Sequence, residues 1–225
     1  MKRYCLYLFI LIGISCSAEL KAQKNGTVYK GNDPAVRYTG RTLVSSDGSV
    51  AFDWVGTYLE TRFTGGKLSV KVSETGTSYY NVFVDGKLHK VVKVCGTDTL
   101  IHLVSGIDKR IHSLKIQKRS EGEFGKTTVH QFVLSGSGRL AEELAVRTRH
   151  IEFIGNSLTC GYGTDGKHRD EPFLVETENC NLTFASMVAR YYDADYTLIA
   201  HSGRGAARNY GDSVRVSKVT MNDRM

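Results

Sequence analysis

Between residues 28 and 134 the sequence alternates polar and apolar side chains with a period of two, and this alternation constrains the fold most. Residues 67–72 and 112–118 show it clearly, and it is typical of strands that bury one face. The pair Asp85-Gly86 is a strong hairpin signal, because a type I′ turn needs positive φ at both central positions. The pattern predicts an antiparallel β-sandwich over residues 24–135, and about 110 residues are enough to bury a core.

A stretch rich in glycine and serine ends this pattern, and residues 136–149 are interpreted as a linker between two domains. Gly136 and Gly138 would fit the start of a dinucleotide-binding loop. That loop requires a third glycine and a following helix, and the sequence has neither at this point. The linker is therefore the favoured interpretation.

The period changes after the linker. Residues 151–154 and 195–200 are apolar runs typical of strands, and residues 183–192 between them have the spacing of an amphipathic helix. Strand, helix and strand at these distances predict a βαβ unit of a parallel, helix-covered sheet within residues 150–225. Catalytic loops in such sheets lie at the carboxyl ends of the strands. We therefore expect residues 155–157 and 201–205 to meet at one edge.

The first 22 residues are typical of a signal peptide. Lys2 and Arg3 precede an apolar run at residues 6–14, and small residues then lead to Ala22. The run is too short to cross a bilayer, so no transmembrane span is predicted. We expect an exported protein, periplasmic or extracellular. Lipid attachment at Cys16 is an alternative, because residues 14–16 resemble a bacterial lipoprotein signal.

Charge and cysteine content exclude two classes of function. The formal charge is +7 over 225 residues, spread over both halves without a basic run that could follow a nucleic-acid backbone. Cys95, Cys160 and Cys180 lack the spacing of a zinc site, so neither nucleic acid nor a metal is expected. A disulfide between Cys160 and Cys180 and three buried thiols remain open alternatives.

Ser157 follows the strand at residues 151–154 directly. A serine at such a turn can be a nucleophile, because backbone N–H groups of the turn point toward the oxyanion formed during attack on an ester. It can equally be the N-cap of the next helix. Thr159 occupies a position where the Gly-x-Ser-x-Gly elbow requires glycine, so that pattern is excluded. The residues alone leave both roles open.

Several motifs resemble carbohydrate esterase family 2 of the SGNH (GDSL-like) hydrolase superfamily. They are IGNSLTCGYG at residues 154–163, ENCNLTFAS at 178–186, IAHSGRG at 199–205, RNYG at 208–211, and GNDP and YTGR near the start, at 31–34 and 38–41. The resemblance implies a jelly-roll-like β-sandwich followed by a flavodoxin-like α/β hydrolase domain. It also implies an acetyl xylan esterase-like activity on O-acetyl groups of plant polysaccharide, without a cofactor.

By this resemblance, Ser157 is the nucleophile, and its own N–H and that of Gly203 form part of the oxyanion hole. Asn156 stands where the superfamily usually has aspartate, and its amide oxygen can still accept hydrogen bonds that shape the turn. Arg204 and Asn209 are expected to support the site. Arg204 can order the loop or contact a glycan, and a salt-bridged structural role is the favoured alternative.

The resemblance also implies a Gly-x-Asn-Asp motif and a late histidine as general base. Residues 151–225 provide 75 positions, too few for a complete parallel α/β domain. We therefore expect a catalytic domain truncated at its C-terminus, with the general base unknown and the activity low. His168 and His201 are candidate replacement bases, and Asn222-Asp223 is a candidate for the missing motif. Solvated or loop-packing roles are favoured for the two histidines. Asn222-Asp223 is disfavoured as the motif, because the preceding Thr220-Met221 lacks the required glycine.

A carbohydrate-binding module is the alternative from another functional class. Trp54, Tyr58, Tyr79 and Tyr80 lie in or near the predicted sandwich strands, and exposed rings of this kind bind sugars by stacking. Most aromatic residues in a sandwich belong to its core. The esterase is therefore the favoured prediction.

Overall fold

The computed structural model describes residues 26–141 and 145–225. The predicted signal peptide and the lipid-attachment alternative at Cys16 lie outside these ranges. No helix within the described ranges is long and apolar enough to span a membrane.

Residues 26–141 form an antiparallel β domain, as the alternation predicts. Its strands are β1 Gly26–Lys30, β2 Val36–Thr39, β3 Leu43–Val44, β4 Val50–Phe52, β5 Tyr58–Glu74, β6 Thr77–Val84, β7 Lys87–Cys95, β8 Thr99–Lys118, β9 Thr127–Ser135 and β10 Arg139–Ala141. The strand order is β3-β4-β9-β5-β8-β6-β7, with β1 paired to β9 and both β2 and β10 paired to β5.

Two long strands, β5 and β8, fold this ladder into two layers. Residues 58–64 of β5 pair with residues 111–117 of β8, and the register shifts around Gly66 before residues 68–72 pair with 99–104. Gly66 has φ +80°, and a Cβ there would lie 2.3 Å from the Ser135 carbonyl oxygen. The bend therefore requires glycine. Apolar side chains from both layers form one core, including Leu59, Phe63, Leu68, Val82, Leu114, Phe132 and Leu134.

The hairpin predicted at Asp85-Gly86 is confirmed. Asp85 has φ 49° and Gly86 has φ 74°, and the two residues join β6 to β7. A two-residue turn with positive φ at both central positions matches the right-handed twist of the flanking strands.

Part of the predicted linker is a strand. Residues 139–141 form β10, which pairs with residues 62–64 of β5, and Leu140 is buried in the sandwich core. Three residues are too few to show a periodic pattern in the sequence. Leu140 is buried only because β10 pairs with β5, which is distant in the sequence.

Residues 150–225 contain the parallel pairing that the sequence predicts. β11 His150–Gly155 pairs in parallel with β12 Asp195–Ala200. Between them lie α1 Ser157–Cys160 and α2 Phe184–Tyr191. Helix α2 buries Ala185 and Ala189, whereas Phe184, Met187 and Val188 are exposed.

The sandwich covers β12, which is buried at all six positions. Leu198 packs on Gly56 of the sandwich, where a Cβ would approach Leu198 Cδ1 to 2.6 Å. A second core joins the two halves through Val55 and Tyr58 of the sandwich and Tyr196 of β12. The parallel strand pair is therefore covered by the sandwich on the side where a second layer of helices would otherwise pack.

Candidate active site

The carboxyl ends of β11 and β12 lie side by side, because Gly155 is in register with Ala200. The loops that follow these strands line one cavity of about 630 Å³. Its lining consists of Asn156, Ser157, Tyr162, Ser202, Gly203, Arg204, Gly205, Arg208 and Tyr210. The structure thus brings Ser157, Gly203, Asn156 and Arg204 to one place, as the strand order predicts.

The serine turn is capped by its neighbour. Asn156 is the N-cap residue of α1, and its side-chain oxygen accepts the N–H of Leu158 at 3.1 Å. The backbone oxygen of Asn156 accepts the N–H groups of Thr159 and Cys160 at 2.9 and 3.0 Å. Because Asn156 fills the capping role, the alternative of Ser157 as N-cap is not realised. The Ser157 hydroxyl is left available for chemistry.

Thr159 explains why this turn departs from the glycine-flanked elbow. Thr159 is buried and packs directly on Gly155, where a Cβ would lie 2.0 Å from the Thr159 hydroxyl oxygen. The helix ends at Gly161, which has φ +83° and donates its N–H to the Ser157 carbonyl oxygen at 3.0 Å. The two glycines of this turn, Gly155 and Gly161, therefore flank helix α1 and do not lie within it.

Gly203 lies in a tight loop after β12. It has φ +76°, and its carbonyl oxygen accepts the N–H of Tyr210 at 2.9 Å. Asn209 closes the loop by accepting the N–H of Gly205 at 3.2 Å and donating to the Val219 carbonyl oxygen at 2.8 Å. Among the described residues, the N–H groups of Ser157 and Gly203 donate no hydrogen bond. Both are free to bind an anionic oxygen.

Arg204 takes a different partner from the predicted one. Its guanidinium donates to the backbone oxygen of Val219 at 3.2 Å, and within the described ranges it pairs with no carboxylate. The salt-bridge prediction is therefore wrong for Arg204. The side chain ties two segments of the loop together, and Asn209 bonds the same Val219 oxygen.

Two tyrosines of this cavity were not singled out from the sequence. Tyr210 is 93% exposed, and Tyr162 stacks on Phe173 with ring centroids 3.7 Å apart. Phe173 in turn contacts Phe124 of the sandwich. The sequence carries no specific signal for either ring.

Neither histidine considered as a replacement base shares the cavity of Ser157. The His201 Nε2 atom contacts the Glu123 carboxylate, and the Nδ1 atom lies 2.9 Å from the Ser202 carbonyl oxygen. It lines a separate cavity with Trp54. His168 is exposed and lines a third cavity.

Asn222 and Asp223 stabilise the last loop. The Asn222 amide donates to the Ala206 carbonyl oxygen at 3.1 Å, and the Asp223 carboxylate accepts the N–H and hydroxyl of Thr220 at 2.7 and 2.9 Å. These two hydrogen bonds lower the pKa of Asp223. Both side chains are occupied by loop contacts.

A buried cluster lies directly beneath the cavity. Carboxylate atoms of Glu121 and Glu178 and the Cys160 sulfur are all within 4.8 Å of one another. Burial raises the pKa of Glu178 to about 8, and the neighbouring charge of Glu121 adds to the rise. Burial likewise raises the pKa of the Cys160 thiol. Three separate segments supply these groups, so sequence spacing could not reveal them.

The disulfide alternative is not realised, because Cys160 and Cys180 are both free and buried. Cys160 donates to Glu121, and Cys180 donates to the Lys118 carbonyl oxygen at 3.4 Å. Burial raises the pKa of Cys180 to about 12. Both thiols therefore stay protonated and act as weak hydrogen-bond donors.

Two of the four aromatic residues of the carbohydrate-binding alternative are buried and cannot stack on a sugar. Tyr58 and Tyr80 are buried, and Tyr80 belongs to the sandwich core. The Tyr79 hydroxyl donates to Glu176 at 3.3 Å. Trp54 lies beside the His201 cavity, with the Arg41 guanidinium 5.6 Å from its ring centroid. The four rings do not form a common platform on the sandwich.

Comparison with known proteins places these features in a family. Residues 38–143 match the family described as Carbohydrate esterase 2 N-terminal. The cellulase/esterase CelE of Acetivibrio thermocellus is 33% identical over 180 residues, which cover 80% of this chain and 22% of that protein. An acetylxylan esterase / glucomannan deacetylase of Cellvibrio japonicus is 32% identical over 179 residues, which cover 76% of this chain and 48% of that protein.

A solved structure agrees with the sequence comparison. A family two carbohydrate esterase from Clostridium thermocellum, in complex with cellohexaose, has a TM-score of 0.76 and 33% identity. The match covers 80% of this chain and 55% of that one. The chain therefore spans about half the length, or less, of the relatives that it matches.

Proposed function

Because the chain belongs to carbohydrate esterase family 2, we propose that it carries the nucleophile half of a serine esterase site acting on acetylated polysaccharide. Ser157 is the nucleophile, and the N–H groups of Ser157 and Gly203 are the oxyanion donors. The observation that carries this proposal is the shared cavity, which is lined by Ser157 and by the Gly203 loop. The Gly203 N–H donates no hydrogen bond to any described residue.

The proposed reaction is acyl transfer in two steps. The Ser157 oxygen attacks the acetyl carbonyl carbon, a base takes the hydroxyl proton, and the carbonyl oxygen becomes an oxyanion held by the two N–H groups. The sugar oxygen then leaves with a proton, which frees the polysaccharide hydroxyl. Water attacks the acetyl-serine in the second step, and acetate is released. Every step uses serine, backbone N–H groups, a base and water.

Asn156, Arg204 and Asn209 support the two loops in this proposal. Asn156 fixes the serine turn through its bond to Leu158. Arg204 and Asn209 converge on the Val219 carbonyl oxygen and hold the loop that presents Gly203. Loss of either contact would widen the distance between the nucleophile and the oxyanion donors, and such displacements reduce catalysis strongly.

The general base is the missing part of the proposed site. His201 and His168 line other cavities, and a base must lie within hydrogen-bond reach of the proton that it removes. No base for Ser157 is therefore assigned among the described residues. A site without its base loses about 10²- to 10⁴-fold in rate.

The domain organisation proposed with this function is a sandwich at residues 24–135, a connecting segment at 136–149 and part of an SGNH-type α/β domain at 150–225. The parallel pair β11 and β12, with the candidate nucleophile directly after β11, supports the last assignment. The predicted leader at residues 1–22 supports export, which polymeric substrates outside the cell require.

The substrate class follows from the relatives. The Cellvibrio japonicus protein is named for activity on acetylxylan and glucomannan, so we propose a xylan- or mannan-type polysaccharide with O-acetyl groups. The open cavity of about 630 Å³ and the exposed ring of Tyr210 fit a polymer that passes along the surface.

The test is release of acetic acid from acetylated xylan and acetylated glucomannan by the leader-free chain and by its Ser157→Ala variant. We expect a slow rate that depends on Ser157. Added imidazole, an external base, should raise the difference between the two proteins. Equal rates for two folded proteins, with and without imidazole, would remove Ser157 as a nucleophile in this chain.

A further inference from the structure

One buried carboxylate of the sandwich contacts both loops of the proposed site. Glu121 lies just after β8 and is 2% exposed. Its Oε2 atom accepts the backbone N–H of Ser202 at 2.8 Å. The same atom accepts the thiol of Cys160, with Sγ at 3.6 Å. Ser202 lies in the loop after β12 and Cys160 in helix α1, 42 positions apart in the sequence.

Each of these contacts is adjacent to a reacting group of the proposed site. Ser202 immediately precedes Gly203, whose N–H is a proposed oxyanion donor. Cys160 is the last residue of α1, and Ser157 is the first. A hydrogen bond from a backbone N–H to a buried carboxylate is stronger than one between neutral groups. Glu121 therefore limits the movement of the nucleophile and the oxyanion loop relative to each other.

A second buried carboxyl group, that of Glu178, contacts Glu121. Glu178 is fully buried, and its Oε2 atom accepts the backbone N–H of Glu121 at 2.9 Å. Its Oε1 atom has no hydrogen-bond partner among the described residues. A buried carboxylate oxygen without a partner is costly. A protonated Glu178 can instead donate to the Glu121 carboxylate, because one oxygen of each group lies within 4.8 Å of the other.

The other charged groups around Glu178 already have partners. The Lys118 ammonium donates to the Ser78 hydroxyl at 2.6 Å. The Arg119 guanidinium donates to the backbone oxygen of Glu178 at 2.8 Å and also binds Asp165. Within the described ranges neither cation forms an ion pair with the Glu178 carboxyl group. The elevated pKa of Glu178 agrees with this arrangement.

We propose that Glu121 is a positioning residue that holds Ser202 and Cys160 together, and that Glu178 supports it in protonated form by donating a hydrogen bond to its carboxylate. The catalytic meaning of this positioning rests on the proposed esterase function. The anchoring of the Ser202 loop by Glu121 is independent of the esterase function. Loop anchoring and catalysis are therefore measured separately.

The first measurement is amide hydrogen exchange of peptides that contain residues 201–205, in the leader-free chain. Glu121→Ala should expose the Ser202 amide and speed its exchange by about 10- to 100-fold, because a bond to a charged group is lost. Glu121→Gln should give a smaller increase, since its amide oxygen still accepts. Glu176→Gln, an exposed glutamate in the same region, is the matched control and should change nothing. Unchanged exchange in folded Glu121→Ala would overturn the proposal.

The second measurement separates Glu178 as an acid from Glu178 as an anion. Glu178→Gln keeps the shape and an N–H donor toward Glu121, so it should preserve the slow exchange of residues 201–205. Glu178→Ala removes the donor and should speed exchange at the same residues. If Glu178→Gln behaves like Glu178→Ala, Glu178 is not a donor, and that part of the proposal is wrong.

The third measurement is the rate of acetate release that depends on Ser157. Glu121→Gln should lower kcat by about 10-fold with little change in KM, because Glu121 does not line the substrate cavity. A parent chain no faster than Ser157→Ala would refute the esterase function and leave the exchange result standing.

Stoichiometric binding of Zn²⁺ that is abolished in Cys160→Ser would overturn the hydrogen-bonded arrangement and make the cluster a metal site.

Discussion

Tyr58 at the start of β5 donates a hydrogen bond of 2.7 Å to the Asp195 carboxylate at the start of β12. The other oxygen of Asp195 accepts Arg37 at 3.1 Å, and Arg147 binds the same oxygen as Tyr58 at 2.8 Å. Burial alone would raise the pKa of Asp195, but these three donors lower it. The amino end of β12 is therefore fastened to the sandwich by a buried charge with several partners.

Removal of one partner should reveal how much this connection contributes. We expect Tyr58→Phe to lower the free energy of unfolding by about 1 to 3 kcal/mol, because a buried bond to a charged group is lost. Urea denaturation followed by circular dichroism measures the change. Tyr79→Phe is the matched control, since its 3.3 Å bond to Glu176 is exposed. Equal effects of the two substitutions would contradict the buried role of Tyr58.

Two glycines of the site should respond differently to alanine. At Gly155 a Cβ would lie 2.0 Å from the Thr159 hydroxyl oxygen, so Gly155→Ala should cost about 1 to 3 kcal/mol through overpacking. At Gly203 no atom lies within 4 Å, and only its φ of +76° opposes the substitution, at a cost of about 1 kcal/mol. Denaturation midpoints of the two variants test the order, and a larger loss for Gly203→Ala would contradict it.

The buried acid should make stability depend on pH. Burial and the neighbouring Glu121 raise the pKa of Glu178 from 4.5 to about 8, so the folded state holds a proton that the unfolded state has released. Its contribution is therefore complete below pH 4.5 and is lost as the pH rises to about 8. Glu178→Gln cannot release this proton, and its unfolding free energy should fall less over that range. Parallel pH profiles of parent and variant would contradict the assignment.

Buried lysines should act in the opposite direction at higher pH. Burial lowers the pKa of Lys115 and of Lys118 from 10.5 to about 8, so the unfolded state binds more protons between these values. Stability contributed by these groups should therefore rise from pH 8 to about 10.5. Lys118→Met should flatten that rise in a series of urea denaturations at fixed ionic strength. A steeper rise in the variant would show that another group is responsible.

The sequence predicts those parts of the fold that depend on neighbouring residues. The alternation of residues 67–72 and the turn at Asp85-Gly86 are local patterns, and both predictions were confirmed. The strand at residues 139–141 was missed because it forms only by pairing with β5. The contact of Leu198 with Gly56 has no local pattern for the same reason, since Gly56 lies in the other domain.

The same distinction between local and long-range contacts applies to the residues of the proposed site. Ser157 and Gly203 could be predicted to meet because each follows a strand of one parallel pair. Glu121 could not, because it becomes a partner of Ser202 only when the sandwich packs against β12. Long-range contacts of this kind leave no periodic signal in the sequence. Spacing rules therefore identify the reacting groups better than the groups that hold them.

Tyr210 should affect polymeric substrates more than small ones. Its ring is 93% exposed at the rim of the Ser157 cavity, where it can stack on a sugar unit beyond the acetyl group. Tyr210→Ala should raise KM for acetylated glucomannan by about 2- to 10-fold and leave hydrolysis of 4-nitrophenyl acetate nearly unchanged. Tyr191→Ala is the matched control, because this ring is 84% exposed on α2 and lines no part of that cavity. An equal loss on both substrates would mean that the Tyr210 ring affects the reacting groups themselves and does not contact the polysaccharide.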